Sequence, residues 1–194
     1  ELAPVSLYAE LKVKLEKYLL EDIPKDNGFI PTALRFSTVY GISPRMRFDL
    51  TISEFTYQLA LGNELVVYDA DTWRPYCHVE DFARLIQKVI ESPVEKVSFE
   101  VFNAGSDVNN ATKKMIVDMI ISEIPDGRVK YQDHGSDPRN YRVNFDKVRS
   151  TLDFEVKKTI NDGISELLEK INHHIFDNIN NNISFYGNYE IKIK

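Results

Sequence analysis

Helical and extended periodicities take turns along this chain, and that alternation constrains the fold more than any other feature. Leu7, Leu11, Leu15 and Leu19 recur every four residues among charged neighbours, which predicts an amphipathic helix from Ser6, as N-cap, to about Leu20. Lys25-Asp26-Asn27-Gly28 is turn chemistry, and after Pro31 the run Thr32–Val39 reads as a mostly buried strand entering a loop at Tyr40-Gly41. Helical spacing returns from Leu50 to Leu61 with Gly62 as C-cap, and Leu65–Tyr68 follows as a short strand. Val79–Glu91 is a third amphipathic helix, stopped by Ser92-Pro93, and Val97–Asn103 reads as a strand with Phe99, Val101 and Phe102 as its apolar members. A helix opening at Asn110 or Thr112 runs to about Ile124, Pro125-Asp126-Gly127 turns the chain, and Asp146–Leu152 and Thr159–Ile175 are the last helices. This order predicts an α/β fold. The leucine stripe of the first helix and the face Phe82, Leu85, Ile86 and Val89 are expected in the core. The tail from Asn178, rich in Asn, Ile, Tyr and Lys, has no clear period and reads as a peripheral extension.

Composition narrows the function classes. A chain of 194 residues with 43% apolar and 28% charged residues is long enough to bury a sizeable core. Its net charge of -6, with no run of five or more basic residues, argues against nucleic acid or an anionic membrane as the main partner. No apolar stretch approaches the roughly 20 residues that span a bilayer, and the start Glu1-Leu2-Ala3-Pro4 lacks the plan of a signal peptide. With one cysteine, Cys77, nothing here needs an oxidising compartment, so a soluble, cytoplasmic protein is expected. The chain begins with Glu rather than Met and enters its first helix almost at once, which predicts a fragment or trimmed chain.

Tyr8 and Lys12 lie one turn apart on one helix face and can share one bound atom. A tyrosine hydroxyl is a poor base at neutral pH, and an adjacent ammonium favours its phenolate, so such a pair can shuttle a hydroxyl proton. Taken alone the spacing is weak, because a chain with ten tyrosines and 24 Lys+Arg produces such pairs by chance. Cys77-His78 is no metal site, since adjacent residues of an extended segment point to opposite faces; His78 and Asp81 read as structural. His173-His174 suits a helix C-terminus. Trp73 and Tyr76 flank Arg74, where stacking on a ligand and core burial are both open.

Five segments in order carry a resemblance. They are Pro4–Lys12, Ala33–Gly41, Arg74-Pro75-Tyr76-Cys77-His78-Val79-Glu80-Asp81, Phe99–Gly105, and Asp137-Pro138-Arg139-Asn140-Tyr141-Arg142 with Asp146-Lys147 and Leu152-Asp153-Phe154. Together they resemble the extended short-chain dehydrogenase/reductase family, and within it the NAD-dependent nucleotide-sugar epimerases and dehydratases, over about residues 1–172. The resemblance implies the C-terminal part of a Rossmann-type doubly wound parallel sheet plus a small α/β substrate-binding domain. Residues 1–44 and 78–104 would be the remaining part of the NAD(P)-binding domain, 45–77 and 105–176 the nucleotide-sugar-binding domain, and 177–194 a peripheral tail.

It further implies catalysis by Tyr8 and Lys12, cofactor contacts from these two and from Phe36, Ser37, Thr38 and Val39, and substrate contacts from Thr38, Arg47, Arg74 and Arg139. Arg45 shares the loop of Arg47 and is a weaker candidate. Arginine suits a diphosphate because its planar fork pairs bidentately with phosphate oxygens. The implied cofactor is NAD, with NADP as the variant; the implied substrate is a nucleoside-diphosphate sugar, and the implied assembly a homodimer in which the Tyr8 helix takes part. Thr38, where many relatives carry Asn, and Ile42, where Pro usually follows Tyr-Gly, depart from the pattern. The glycine-rich phosphate loop, the acidic residue for the adenosine ribose and the Ser/Thr partner of the tyrosine would all precede Glu1, so these 194 residues alone are expected to bind a dinucleotide poorly. Two other readings stand beside this one: a non-catalytic nucleotide-sugar-binding module, and a reductase of a non-nucleotide substrate.

Overall fold

Ser6 begins the first helix by accepting the Ala9 N–H on its hydroxyl at 3.2 Å, and the acidic Glu10 near the start and basic Lys14 and Lys17 near the end both suit the helix dipole. In this computed structural model, which describes residues 2–25, 28–133 and 139–177, that helix, α1, spans Leu7–Lys17 and continues into one π-helical turn, Tyr18–Asp22. The expected strand Thr32–Val39 is two strands, β1 (Thr32–Phe36) and β2 (Thr38–Tyr40), separated at Ser37. There the chain leaves one sheet for another, β1 pairing in parallel with β5 (Glu100–Ala104) and β2 in parallel with β4 (Trp73–His78).

Helix α2 (Thr51–Ala60) ends before Gly62, whose φ of 74° suits a glycine, and β3 (Leu65–Tyr68) then pairs in parallel with β7 (Val129–Gln132). α3 spans Val79–Glu91 as its period requires. The expected strand at Val97 is corrected: Val94–Val97 forms the short helix α4, and Phe99 is left-handed at φ 54°, donating its N–H to Pro31 at 2.8 Å, so extended structure starts only at Glu100. β6 (Asn110–Thr112) pairs antiparallel with β4, and Thr112 caps α5 (Lys113–Glu123) through the Met115 N–H. α6 (Asp146–Leu152) and α7 (Ile160–Asn172) follow, the latter opened by a capping box between Thr159 and Asp162. The expected peripheral tail from Asn178 lies outside the described residues.

Two of the three apolar clusters among the described residues hold most of these elements. One gathers Ile52, Leu59, Val67, Ile116 and Ile164 from α2, β3, α5 and α7; the other gathers Leu85, Phe102, Phe145, Val148 and Leu152 from α3, β5 and α6. Between them runs a buried polar seam. His78, at zero exposure, accepts the Glu80 N–H on Nδ1 at 3.2 Å, which leaves Nε2 to donate to Glu166 at 2.9 Å. Asp81, also fully buried, accepts the N–H groups of Lys157 and Lys158 and pairs with Arg84. Both residues are structural, as the sequence suggests. Tyr76 is equally buried, which closes the option of its stacking on a ligand.

The leucine stripe of α1 is a correction. α1 buries no residue, and Leu7, Leu11 and Leu15 are 69%, 56% and 51% exposed, with only Leu19 half-buried. Its more covered positions are Ala9, Val13 and Glu16, and at about 100° per residue Leu7 and Leu11 lie round the opposite side. On α3, Leu85 is in the core as expected with Phe82 and Val89 packed against it, whereas Ile86 is 43% exposed. Among the described residues, no helix is long and apolar enough to cross a membrane.

Candidate active site

The Tyr8 and Lys12 side chains meet as their spacing requires: the Lys12 ammonium stands 5.4 Å from the centre of the Tyr8 ring, and both groups are exposed. One turn further, Glu16 is bound by Arg35 of β1 through two parallel hydrogen bonds, Nε to Oε2 at 2.8 Å and NH2 to Oε1 at 2.5 Å. That carboxylate raises the Arg35 pKa above its ordinary value, chiefly through the hydrogen bonds.

At the crossing from β1 to β2, Ser37 gives both its N–H, at 3.2 Å, and its hydroxyl, at 2.8 Å, to the Ala104 carbonyl. Its hydroxyl is thus spent on holding β1 to β5. Gly105 leaves room for this arrangement, since a Cβ there would stand 2.8 Å from both Ser37 Oγ and the Phe145 ring. Phe36 is half exposed beside Phe82, with ring centres 4.5 Å apart, while Thr38 and Val39 lie in register with Tyr76 and Cys77 on β4.

Sequence reasoning missed how residues 140–144 are held against these strands. Asn140 accepts the Trp73 N–H at 2.9 Å, Asn110 both accepts from the Val143 N–H and donates to its carbonyl at 3.1 and 2.9 Å, and Asn103 donates to Asn144 O at 3.0 Å. The signal was present as asparagines at strand ends, where an amide side chain can mimic a missing backbone partner. This seating places the Arg74 guanidinium 5.5 Å from the centre of the Tyr141 ring and Arg142 4.8 Å from that of Trp73, an interleaved set of two cations and two aromatics. Arg74 also donates to the Trp73 carbonyl at 2.9 Å.

A cleft of about 620 Å³ lies here, with Leu2, Ala3, Phe36, Ser37, Pro75 and Tyr141 among its walls. It joins the segment leading into α1, the β1 end, β4 and the 140–144 segment. Of the expected site residues Phe36 and Ser37 line it, with Arg35 and Arg142 as its arginines, whereas Tyr8, Lys12, Thr38, Val39, Arg47, Arg74 and Arg139 are not among its lining residues. Arg47 forks onto Asp49 at 2.6 and 2.5 Å and holds that carboxyl below the usual carboxylate range. Arg139 is exposed, and its neighbours Asp137 and Pro138 lie outside the described residues.

The model of the NAD dependent epimerase/dehydratase family matches residues 1–105. Among solved structures, the chain is similar to UDP-glucose 4-epimerase from Thermotoga maritima, determined with UDP-glucose, at 24% identity and TM-score 0.76, covering 89% of this chain and 55% of that one. It is similar to dTDP-glucose 4,6-dehydratase from Bacillus anthracis in complex with NAD, at 25% identity and TM-score 0.70, over 89% and 54% of the two chains. It also shares its fold with RMD from Pseudomonas aeruginosa complexed with NADPH, at 16% identity and TM-score 0.76, over 89% and 58%. The chain therefore spans about half the length of the structures it matches.

Proposed function

Since the chain belongs to the NAD dependent epimerase/dehydratase family, we propose that it serves an epimerase or dehydratase acting on a nucleoside-diphosphate sugar, with Tyr8 exchanging the proton of a sugar hydroxyl. The observation that carries this reading is the Tyr8–Lys12 pair, 5.4 Å apart on the exposed side of α1. The bound dinucleotide, NAD or NADP, would supply a reversible acceptor for the hydride of the sugar carbinol carbon.

The residues present fit one end of such a cofactor. The Tyr8 and Lys12 side chains are neighbouring, exposed groups whose hydroxyl and ammonium suit ribose hydroxyls, and Phe36, Ser37, Thr38 and Val39 form the β1–β2 strand crossing. The eight glycines of the sequence stand too far apart for a Gly-x-x-Gly-x-x-Gly loop, so these residues fit the nicotinamide ribose rather than the pyrophosphate. Tyr8 takes the hydroxyl proton as the carbon–oxygen bond becomes a carbonyl and gives it back on reduction. Lys12 keeps its ammonium over the Tyr8 ring, 5.4 Å from its centre, on the same exposed side of α1.

Arg74, with Tyr141 and Arg142 beside it, is proposed to hold the diphosphate, with Arg139 as a second contact and Thr38 bordering the sugar. Arg47 joins this set only by giving up its fork on Asp49. The exposed Leu7, Leu11 and Leu15 support a homodimer through α1. The lone Cys77, buried and without a second thiol in the sequence to pair with, fits a reducing, cytoplasmic setting.

The test is Tyr8→Phe in the natural full-length chain, assayed with NAD and a panel of UDP- and dTDP-sugars. Turnover is expected to fall by about 10²- to 10⁴-fold, the usual contribution of a positioned acid–base group, while nucleotide-sugar affinity stays within about threefold. Wild-type turnover in this variant would remove Tyr8 from the chemistry.

A further inference from the structure

α1 carries the two side chains on which the proposed chemistry depends, yet it buries none of its residues. Its stripe Tyr8, Lys12, Glu16 steps round the helix by about 40° per turn, so Glu16 faces the sheet and Tyr8 stands about 80° away, at the edge of the covered side. Accordingly, Glu16 keeps 17% side-chain exposure where Tyr8 keeps 72%. Its partner Arg35 lies in register with Asn103 near the end of the β1–β5 pair, one residue before the Phe36–Val39 crossing.

We propose that Arg35 and Glu16 form a positioning pair that sets the rotation and height of α1 on the sheet, and thereby the place of Tyr8 and Lys12 relative to the Phe36–Val39 crossing. The inference rests on the reading of Tyr8 and Lys12 given above. Two parallel hydrogen bonds from a planar guanidinium fix orientation as well as distance, which one ammonium–carboxylate contact does not. Leverage makes the consequence large. At about 1.5 Å rise per residue, Tyr8 is about 12 Å along the axis from Glu16, so a swing of about 5° about that anchor displaces it by about 1 Å. A displacement of that size can cost about 10²-fold in rate.

The experiment uses the natural full-length chain with Glu16→Gln, Arg35→Lys, and the charge-exchanged double variant Glu16→Arg/Arg35→Glu, with Tyr8→Phe in parallel. Each single variant should lose about 10- to 100-fold in kcat while KM for the nucleotide sugar stays within about threefold. Hydrogen exchange of the α1 amides should quicken by about tenfold or more with β1 amides unchanged, and the double variant should regain at least tenfold of the lost kcat. A raised KM with unchanged kcat would make Arg35 a direct substrate contact and overturn the proposal. Wild-type kcat, or a lost kcat accompanied by general loss of exchange protection and no recovery in the double variant, would overturn it equally. If Tyr8→Phe is inactive while Glu16→Gln is unimpaired, only this inference falls; if Tyr8→Phe turns over normally, the catalytic reading falls and takes the inference with it.

Discussion

A single carboxylate, Asp81, joins the entry of α3 to the segment before α7. It is fully buried, accepts the Lys157 N–H at 3.0 and 3.1 Å and the Lys158 N–H at 3.0 Å, and pairs with Arg84. Its position in the first turn of α3 adds the favourable end of the helix dipole. Asp81→Asn keeps the size but replaces an acceptor with an amide donor that must face N–H groups already seeking one. The expected cost is about 3 kcal/mol, since removing one member of a buried charged network leaves its partners unpaired. Urea unfolding should show a lower midpoint at unchanged slope; a variant within about 0.5 kcal/mol of the parent, the scatter of surface substitutions, would show that the contacts are replaceable. The residue types at 78 and 81 were legible as structural before any coordinates. Their partners were not, because Lys157 and Glu166 lie 76 and 88 residues away and leave no local period.

Among the elements, the periodic helices and the short strand Leu65–Tyr68 were readable, whereas β4, β6 and β7 were not. α3 and α6 match their expected spans; in α3 a covered face repeats over several turns and the His78 side chain caps its start. β4 was hidden by Pro75, which argues against a strand with neighbours on both sides. Its neighbours resolve this by pairing with different parts of it, β2 with Tyr76–His78 and β6 with Trp73–Pro75. The stretch Val97–Asn103 has strand composition throughout, and only the left-handed Phe99 divides helix from strand, a choice set by its bond to Pro31 rather than by propensity. α7 offers a test in which two effects oppose. Gly163→Ala improves helix propensity by about 1 kcal/mol, but the new Cβ would lie 2.5 Å from the Tyr40 ring. Tyr40 is held by hydrogen bonds of its hydroxyl to Lys158 O at 3.1 Å and from Asn109 at 3.2 Å, so the ring cannot retreat without breaking them. Overpacking of this kind costs about 1–3 kcal/mol. The net change should therefore be destabilising, read as a lowered Tm; a raised Tm would mean that the seam around Tyr40 yields.

For the whole molecule, the alternation of periods was enough to place it in the α/β class, while the environment of α1 was invisible to it. Four-residue spacing says which leucines share a face and says nothing about what covers that face. Here the Glu16–Arg35 pair turns the side of α1 that carries Ala9, Val13 and Glu16 toward the protein, which sends Leu7 and Leu11 outward. Full burial of a leucine side chain contributes about 1.5–3 kcal/mol, so three exposed leucines on one short helix represent several kcal/mol available to an association. This is the basis for proposing α1 as the site of a homodimer contact. Leu11→Arg is the discriminating change: Leu11 is 56% exposed and lies across the helix from Glu16, so a charge there disturbs neither the Arg35 clamp nor the apolar cores. In the natural full-length chain, sedimentation velocity should show the dimer giving way to a smaller species at concentrations where the parent remains associated, with Tm changed only in its concentration dependence. An unchanged association state with an intact fold would take α1 out of the interface, and the apolar stripe would then have to be covered by another part of the same polypeptide.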